Sequence, residues 1–187
     1  MMWKSAALLA AAVLAAGAAP KPTAPKPAPA KAQPVKAQTA KPVRDPTFDA
    51  RNPSNLIEVL AAANAHGEIA RTEGDGVMLK VTSPAGSFQA QFAGCDTHGR
   101  GCLALGFDAS ANQRTATLAE INRFNQSSVT CRIVQDQAGK PHMLFSTLLF
   151  AETSRGEMIG QIDGWRGCLA DFGDFLKDPT GYLASAP

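Results

Sequence analysis

Alternating apolar and polar residues in the middle of the chain limit its fold more than any other feature of the sequence. From Val77 to Thr82, and again from Ser87 to Phe92, every second residue is apolar. A turn sequence that contains Pro and Gly separates the two runs at residues 83–86, and residues 68–72 and 103–107 carry similar strand signals. A period of two residues is typical of β-strands that bury one face and expose the other. The sequence therefore predicts an antiparallel sheet covered on one side.

Helix signals lie before and after these strands. Asn52 and Pro53 are typical of a helix start, and Gly67 predicts the end of that helix. Capping boxes follow at residues 117–120 and 154–157. In each, a Thr or Ser and a Glu three residues later satisfy backbone N–H groups of the first turn. The sequence thus predicts three helices.

The remaining signals complete the predicted order of elements. Residues 129–135 and 143–150 indicate two more strands, and an apolar stripe from Met158 to Leu176 indicates the last helix. Pro179 and Gly181 are expected to end that helix. The order α-β-β-β-β-α-β-β-α predicts an α+β fold with a meandering antiparallel sheet of about five to six strands.

The first 18 residues have the pattern of a cleaved secretory signal peptide. A basic Lys4 precedes an apolar run, and the small residues Ala16-Gly17-Ala18 precede an expected cleavage before Ala19. The apolar run, about 14 residues long, is shorter than the roughly 20 that a membrane-spanning helix needs. We therefore expect a periplasmic or secreted protein.

Residues 19–46 form a predicted disordered linker rich in Ala, Pro and Lys, followed by a domain at residues 47–187. Lysines recur at every fifth position from Lys21 to Lys41. They could hold the protein against an anionic envelope surface, or the linker could be a solvated spacer. Residues 1–44 hold seven of the 18 basic side chains and none of the 16 acidic ones, so the domain has a net negative charge. This argues against a nucleic-acid partner, which would require a positive surface.

Four cysteines favour disulfide formation in a chain bound for an oxidising compartment. Four cysteines allow three connectivities. Cys95 and Cys102 flank a short loop between two predicted strands, where a bridge would clamp a hairpin, and this pairing leaves Cys131 to Cys168. The alternatives are a zinc site or a redox pair, but the chain contains neither a C-x-x-C spacing nor a matching pair of histidines.

No motif indicates catalysis, a cofactor or a metal site. The three histidines share no metal-binding interval, and the chain lacks a G-x-S-x-G nucleophile motif. We therefore expect a protein that is not an enzyme and has no catalytic residues, cofactor or bound metal. The alternative is an unrecognised envelope enzyme with a polar pocket near the Cys95–Cys102 loop, joining His98, Asp96 or Asn122.

Several segments between about residues 53 and 178 resemble the YbjN domain family in this order. The most specific is Ile121-Asn122-Arg123-Phe124-Asn125, in which Phe124 stands where Trp is usual. The resemblance implies a sensory transduction regulator with a fold similar to that of type III secretion chaperones, and it implies no catalytic residues. Basic and aromatic residues often follow the Asn motif in the family, but residues 127–131 here are of other types. The other matching segments are Phe88–Cys95, Cys95–Cys102, Leu105–Phe107, Gly139–Pro141 and Trp165–Phe172.

The middle helix contributes the candidate binding residues Asn122, Phe124 and Asn125. Asn122 and Asn125 are three residues apart and so lie on one helix face. Their amides could bind a ligand amide or a peptide backbone, since each offers a donor and an acceptor. The other interpretation is that they tie the end of the helix to the adjacent strand.

Three glycines on the last helix form a second candidate binding surface. Gly160, Gly164 and Gly167 lie on the side opposite the apolar stripe, and each costs about 1 kcal/mol relative to Ala in a helix interior. Close approach of another backbone would explain them, so this face is a candidate surface for a homodimer or another partner. The other explanation for the three glycines is neutral sequence drift in a chain that is rich in Gly and Ala.

These patterns predict an exported, non-catalytic protein-binding module of the cell envelope, with a sensory, regulatory or chaperone-like role. Its partner is an unidentified protein or a second copy of the chain. Another hypothesis is a passive envelope protein in which the linker, rather than the domain, supplies the binding.

Export and disulfide formation can be tested together by peptide mapping of the natural protein under non-reducing conditions. We expect an N-terminus at Ala19 and two linked peptide pairs, Cys95 with Cys102 and Cys131 with Cys168, because the signal peptide directs the chain to an oxidising compartment. Full-length protein with free thiols in the cytosol would contradict this prediction.

Overall fold

The computed structural model describes residues 45–112 and 116–185. The signal peptide predicted at 1–18 and the linker predicted at 19–46, except for its last two residues, lie outside the described residues. The elements in chain order are α1 (Pro53–Ala62), β1 (His66–Glu73), β2 (Gly76–Ser83), β3 (Gly86–Ala93), β4 (Ala104–Ser110), α2 (Leu118–Ser127), β5 (Arg132–Gln135), β6 (Pro141–Leu148), α3 (Arg155–Lys177) and α4 (Pro179–Ser185). The predicted α+β class and order are confirmed, with α4 as an additional helix.

The six strands form one antiparallel sheet in the order β1-β2-β3-β4-β6-β5. The first four strands are a meander, as predicted. β6 then pairs with β4, which places the four-residue β5 at one edge. At the other edge, β1 has an irregularity in its pairing between Ile69 and Arg71. In the described residues, no helix is both long and apolar enough to cross a membrane.

The two faces of the sheet differ in burial because of the period-two alternation. Leu79 pairs with Ala90, and Ala90 pairs with Phe107; all three are buried. The next row, formed by Lys80, Gln89 and Asp108, points to the opposite side and is exposed or half-buried. We call the side that carries Lys80, Gln89 and Asp108 the open face.

Helix α3 covers the other side through an aromatic cluster. Trp165 is fully buried, and its ring centroid lies 5.4 Å from those of both Phe88 and Phe107. The predicted capping box is present at the start of α3: Ser154 Oγ accepts the backbone N–H of Glu157, and the Glu157 carboxylate accepts the backbone N–H of Ser154. The cap and the apolar stripe together explain where this helix begins and which side it buries.

One predicted helix end is wrong, that of α1. The helix ends at Ala62, and Asn64 adopts a positive φ of 58°. The backbone N–H of Ala65 then donates to the carbonyl of Leu60 at 2.9 Å, the pattern of a left-handed C-terminal cap. Gly67 lies instead in β1, where an added Cβ would be 3.2 Å from Leu60 Cδ1. The glycine therefore permits close packing of α1 on the strand.

The predicted end of α3 before Pro179 is confirmed, but Pro179 also begins α4, a helix that the sequence patterns do not predict. α3 ends at Lys177, and α4 starts immediately after Asp178. The Asp178 carboxylate accepts the backbone N–H of Gly181 at 3.0 Å. Proline suits the first turn of a helix because its missing N–H would have no intrahelical partner there.

Both predicted cysteine pairs lie at disulfide-bonding distance. Cys95 and Cys102 close the loop between β3 and β4, and their Cα atoms are 3.8 Å apart. Cys131, just before β5, pairs with Cys168 on α3, with Cα atoms 5.8 Å apart. The second pair therefore connects the edge of the sheet to the helix that covers it.

Removal of the two bridges should lower stability by different amounts. In the chain-entropy model the loss grows with loop length: about 4 kcal/mol for the separation of 37 residues and about 2.5 kcal/mol for the separation of seven. Urea unfolding of Cys131→Ala/Cys168→Ala and Cys95→Ala/Cys102→Ala double variants measures both losses. A larger loss from the shorter loop would contradict the prediction.

Candidate functional site

The open face contains a groove of about 280 Å³, lined by polar and apolar residues, that crosses strands β1, β2, β3, β4 and β6. The sheet register explains which side chains meet there. Lys80 pairs with Gln89, and Gln89 pairs with Asp108, so the three form one row across the middle strands. His142 on β6 pairs with Ser110 on β4 and closes the groove on that side.

His142 lies between two carboxylates. Its Nδ1 is 2.8 Å from Asp108 Oδ1, and its Nε2 is 3.8 Å from Asp136 Oδ2. Because an ionised carboxylate can only accept a hydrogen bond, Nδ1 carries the proton and donates to Asp108. Nε2 is buried and has no hydrogen-bond partner within the described part of the chain.

The turn between β5 and β6 holds Asp136 in position. Its carboxylate accepts the backbone N–H of Lys140 at 2.8 Å, and the backbone N–H of Asp136 donates to the carbonyl of Lys140. The bond from the Lys140 N–H is the main cause that lowers the pKa of Asp136, and the nearby His142 contributes to the shift. Asp136 is therefore a fixed negative charge beside the imidazole.

The groove offers one cation and one anion on opposite sides of a neutral amide. Lys80 is exposed and makes no ion pair with any described residue. The Asp108 side chain is 41% exposed, although one of its oxygens accepts from His142. Gln89 lies between them in the register. Such a row can bind a polar ligand that carries both charges.

The groove lacks the contacts of a hydrolytic or metal centre. Ser87 and Ser110 line it, but within residues 45–112 and 116–185 neither serine is hydrogen-bonded to His142. Over the same residues, no group of three or more His, Cys, Asp or Glu is arranged to hold a metal ion.

A second exposed feature is an apolar patch, which we define as Leu148, on the open face, and Phe150, which lies just after β6. Leu148 pairs with Ala104 at the end of the sheet, and Phe150 follows two residues later. Their side chains are 63% and 59% exposed, whereas Leu149 between them is buried. Aromatic side chains are enriched in protein interfaces, so these two exposed apolar residues are a candidate contact for a protein partner.

The candidate residues of α2 have three different environments. Asn125 holds the backbone of Ile133 with both amide atoms: Nδ2 donates to the carbonyl at 2.9 Å, and Oδ1 accepts the N–H at 2.8 Å. Phe124 is 1% exposed, and its ring lies 5.2 Å from that of Phe175 in the core. Asn122 is exposed to solvent. The structure thus places the three in no common binding surface.

The predicted glycine face of α3 is exposed. At Gly160, Gly164 and Gly167, an added Cβ would meet no described atom within 4 Å. Packing among the described residues therefore gives no reason for glycine at these positions.

The loop closed by Cys95 and Cys102 is organised by Asp96. The Asp96 carboxylate accepts the backbone N–H groups of Arg100 at 2.9 Å and His98 at 2.8 Å. These two bonds, with that of Arg100 first, lower the pKa of Asp96. The carboxylate has a structural role in the loop, and the groove is lined by His142 instead of His98.

Sequence reasoning missed the groove because it depends on pairing between distant strands. The alternation of His142 with Met143 and of Asp108 with Phe107 places both polar residues on the solvent side. No sequence signal indicates that β6 pairs with β4 or in which register. The hydrogen bond between Asp108 and His142 joins residues 34 positions apart.

Comparison of the sequence with known protein families gives one match. A model of the YbjN family, described as "Putative bacterial sensory transduction regulator", matches residues 48–178, which is well over half of the chain. No curated protein and no solved structure matches this sequence. The expected likeness to type III secretion chaperones therefore stays a prediction.

The two asparagines of α2 should respond differently to substitution. Asn125→Ala leaves the N–H and carbonyl of the buried Ile133 without these partners and should cost about 1–3 kcal/mol. Asn122→Ala removes only an exposed side chain and should change stability by less than about 0.5 kcal/mol. Urea unfolding measures both values, and equal losses would contradict the structural role of Asn125.

Proposed function

Because this chain belongs to the YbjN family, we propose that it is a non-catalytic regulatory domain that binds another protein in the cell envelope. The single observation that carries the proposal is the exposed apolar patch, formed by Leu148 on the uncovered side of the sheet and by Phe150 just after β6. The family description supports a regulatory role, and the patch supports binding as its means.

The position of the patch suits a partner that packs on the sheet. Helix α3 covers the opposite face, so it leaves Leu148 accessible. Burial of an apolar side chain contributes about 1.5–3 kcal/mol relative to leaving it exposed. Two such side chains would supply a central contact, and the polar groups of the neighbouring strands would form the rim.

The envelope location is proposed on two sequence features. Residues 1–18 have the pattern of a signal peptide, and the four cysteines form two pairs at bonding distance. Disulfides of this kind persist in oxidising compartments such as the periplasm. A chaperone-like role is the narrower form of the proposal, in which the patch holds an apolar segment of a client protein.

Self-association is the form of the proposal in which the partner is a second copy. It would use the exposed glycine face of α3, since Gly160, Gly164 and Gly167 allow another backbone to approach closely. The linker is assigned a supporting role, in which its regularly spaced lysines contact the anionic envelope surface.

Site-specific photo-crosslinking in the source bacterium tests the role of the patch. A photoreactive amino acid at position 148 or 150 should give a crosslinked species with one defined protein, because the partner contacts these side chains. The matched control is position 159 on α3, where Ile159 is 44% exposed but lies outside the patch.

The purified partner should then bind the mature chain, and Leu148→Ser/Phe150→Ser should weaken that binding at least tenfold. Ile159→Ser should have little effect. Crosslinks at all three positions alike, or at none, would contradict the proposal.

A further inference from the structure

We infer that the groove of the open face binds a short peptide with a free amino and a free carboxyl terminus. The inference goes beyond the proposed function, because the groove and the apolar patch are separate surfaces of the domain. It assigns a small-molecule ligand to a domain for which only a protein partner has been proposed.

The charges of the groove match the two ends of such a peptide. Lys80 and Asp108 are two strands apart in the register, with Gln89 between them. Neighbouring strands are about 4.8 Å apart, so the backbones of Lys80 and Asp108, two strands apart, are separated by about 10 Å. An extended peptide spans about 3.3–3.6 Å per residue, so three residues cover this distance. Lys80 would bind the carboxylate and Asp108 the ammonium group.

Both charged groups are available to a ligand. Glu68 pairs with Lys80 in the register, yet the described residues show no ion pair between them. The hydrogen bond from His142 Nδ1 orients the Asp108 carboxylate and occupies Oδ1, which leaves the second oxygen for an ammonium group. The neighbouring Asp136 adds negative charge on the same side of the groove, 3.8 Å from His142 Nε2. The two ends of the groove are thus opposite in sign.

The middle of the groove suits the peptide bonds. Gln89, Ser87 and Ser110 line it, and their side chains offer both donors and acceptors to amide N–H and C=O groups. Met78 and Ala70 provide apolar contacts for small side chains. The volume of about 280 Å³ is near the lower end of the range of small-molecule sites, which fits a ligand of two or three small residues.

Isothermal titration calorimetry with trialanine tests the inference on the mature chain. Trialanine should bind, whereas N-acetyl-trialanine and trialanine amide should bind at least tenfold more weakly, because each lacks one terminal charge. Lys80→Gln should remove the preference for trialanine over the amide, and Asp108→Asn should remove the preference over the acetylated peptide. Each variant should leave the other preference in place.

Two variants on α3 serve as controls for the change in net charge. Lys177→Gln and Asp163→Asn alter exposed residues on α3, which contributes no residue to the groove, and should bind trialanine like the wild type. Near-UV circular dichroism checks that Asp108→Asn keeps its native packing. If Asp108→Asn is unfolded, the affinities of Lys80→Gln for the three peptides decide whether the inference holds.

The inference is overturned if the wild type does not bind trialanine at millimolar concentration, or if all three peptides bind equally. It is also overturned if the α3 controls weaken binding as much as the groove variants. Crosslinking at positions 148 and 150 is an independent measurement. Its persistence in Lys80→Gln would show that protein binding stands even where peptide binding fails.

Discussion

The packing of Trp165 against Phe88 and Phe107 determines which side of the sheet can meet a partner. The indole is fully buried between α3 and the inner side chains of β3 and β4. Aromatic contacts of this kind contribute both buried area and a preferred ring geometry, so the helix packs on the sheet in one favoured position. Since that helix occupies one face, the polar rows and Leu148 of the other face are not covered by any helix in the described part of the chain.

The C-terminal part of the domain is joined to the sheet by three kinds of interaction. Asn125 holds the backbone of Ile133 in β5, and Cys131 is paired with Cys168 on α3. Phe124 packs against Phe175 and Tyr182 in the same region. The Asn motif that carries the family resemblance therefore contributes to the architecture of this end of the domain. Its solvent-exposed members are Asn122 and Arg123.

Local patterns in the sequence predict the helices and strands well, whereas the groove is formed by pairing between strands that are distant in the sequence. The two capping boxes and the alternation in β2 and β3 are local, and all appear as predicted. The predicted end of α1 is wrong because Asn64 can adopt the positive φ usually expected of glycine. The groove required the pairing of β4 with β6, which brings Asp108 to His142. Neither residue has a neighbour in sequence that indicates this contact.

The edges of the sheet also restrict how copies of this protein can associate. β1 has a pairing irregularity and charged residues such as Glu68 and Arg71, while β5 at the opposite edge has only four residues. Bulged, charged or very short border strands are poor templates for another strand. Growth of the sheet from molecule to molecule into fibrils is thereby disfavoured. Contacts between copies of the domain are therefore expected on its broad surfaces instead of at the edges of its sheet.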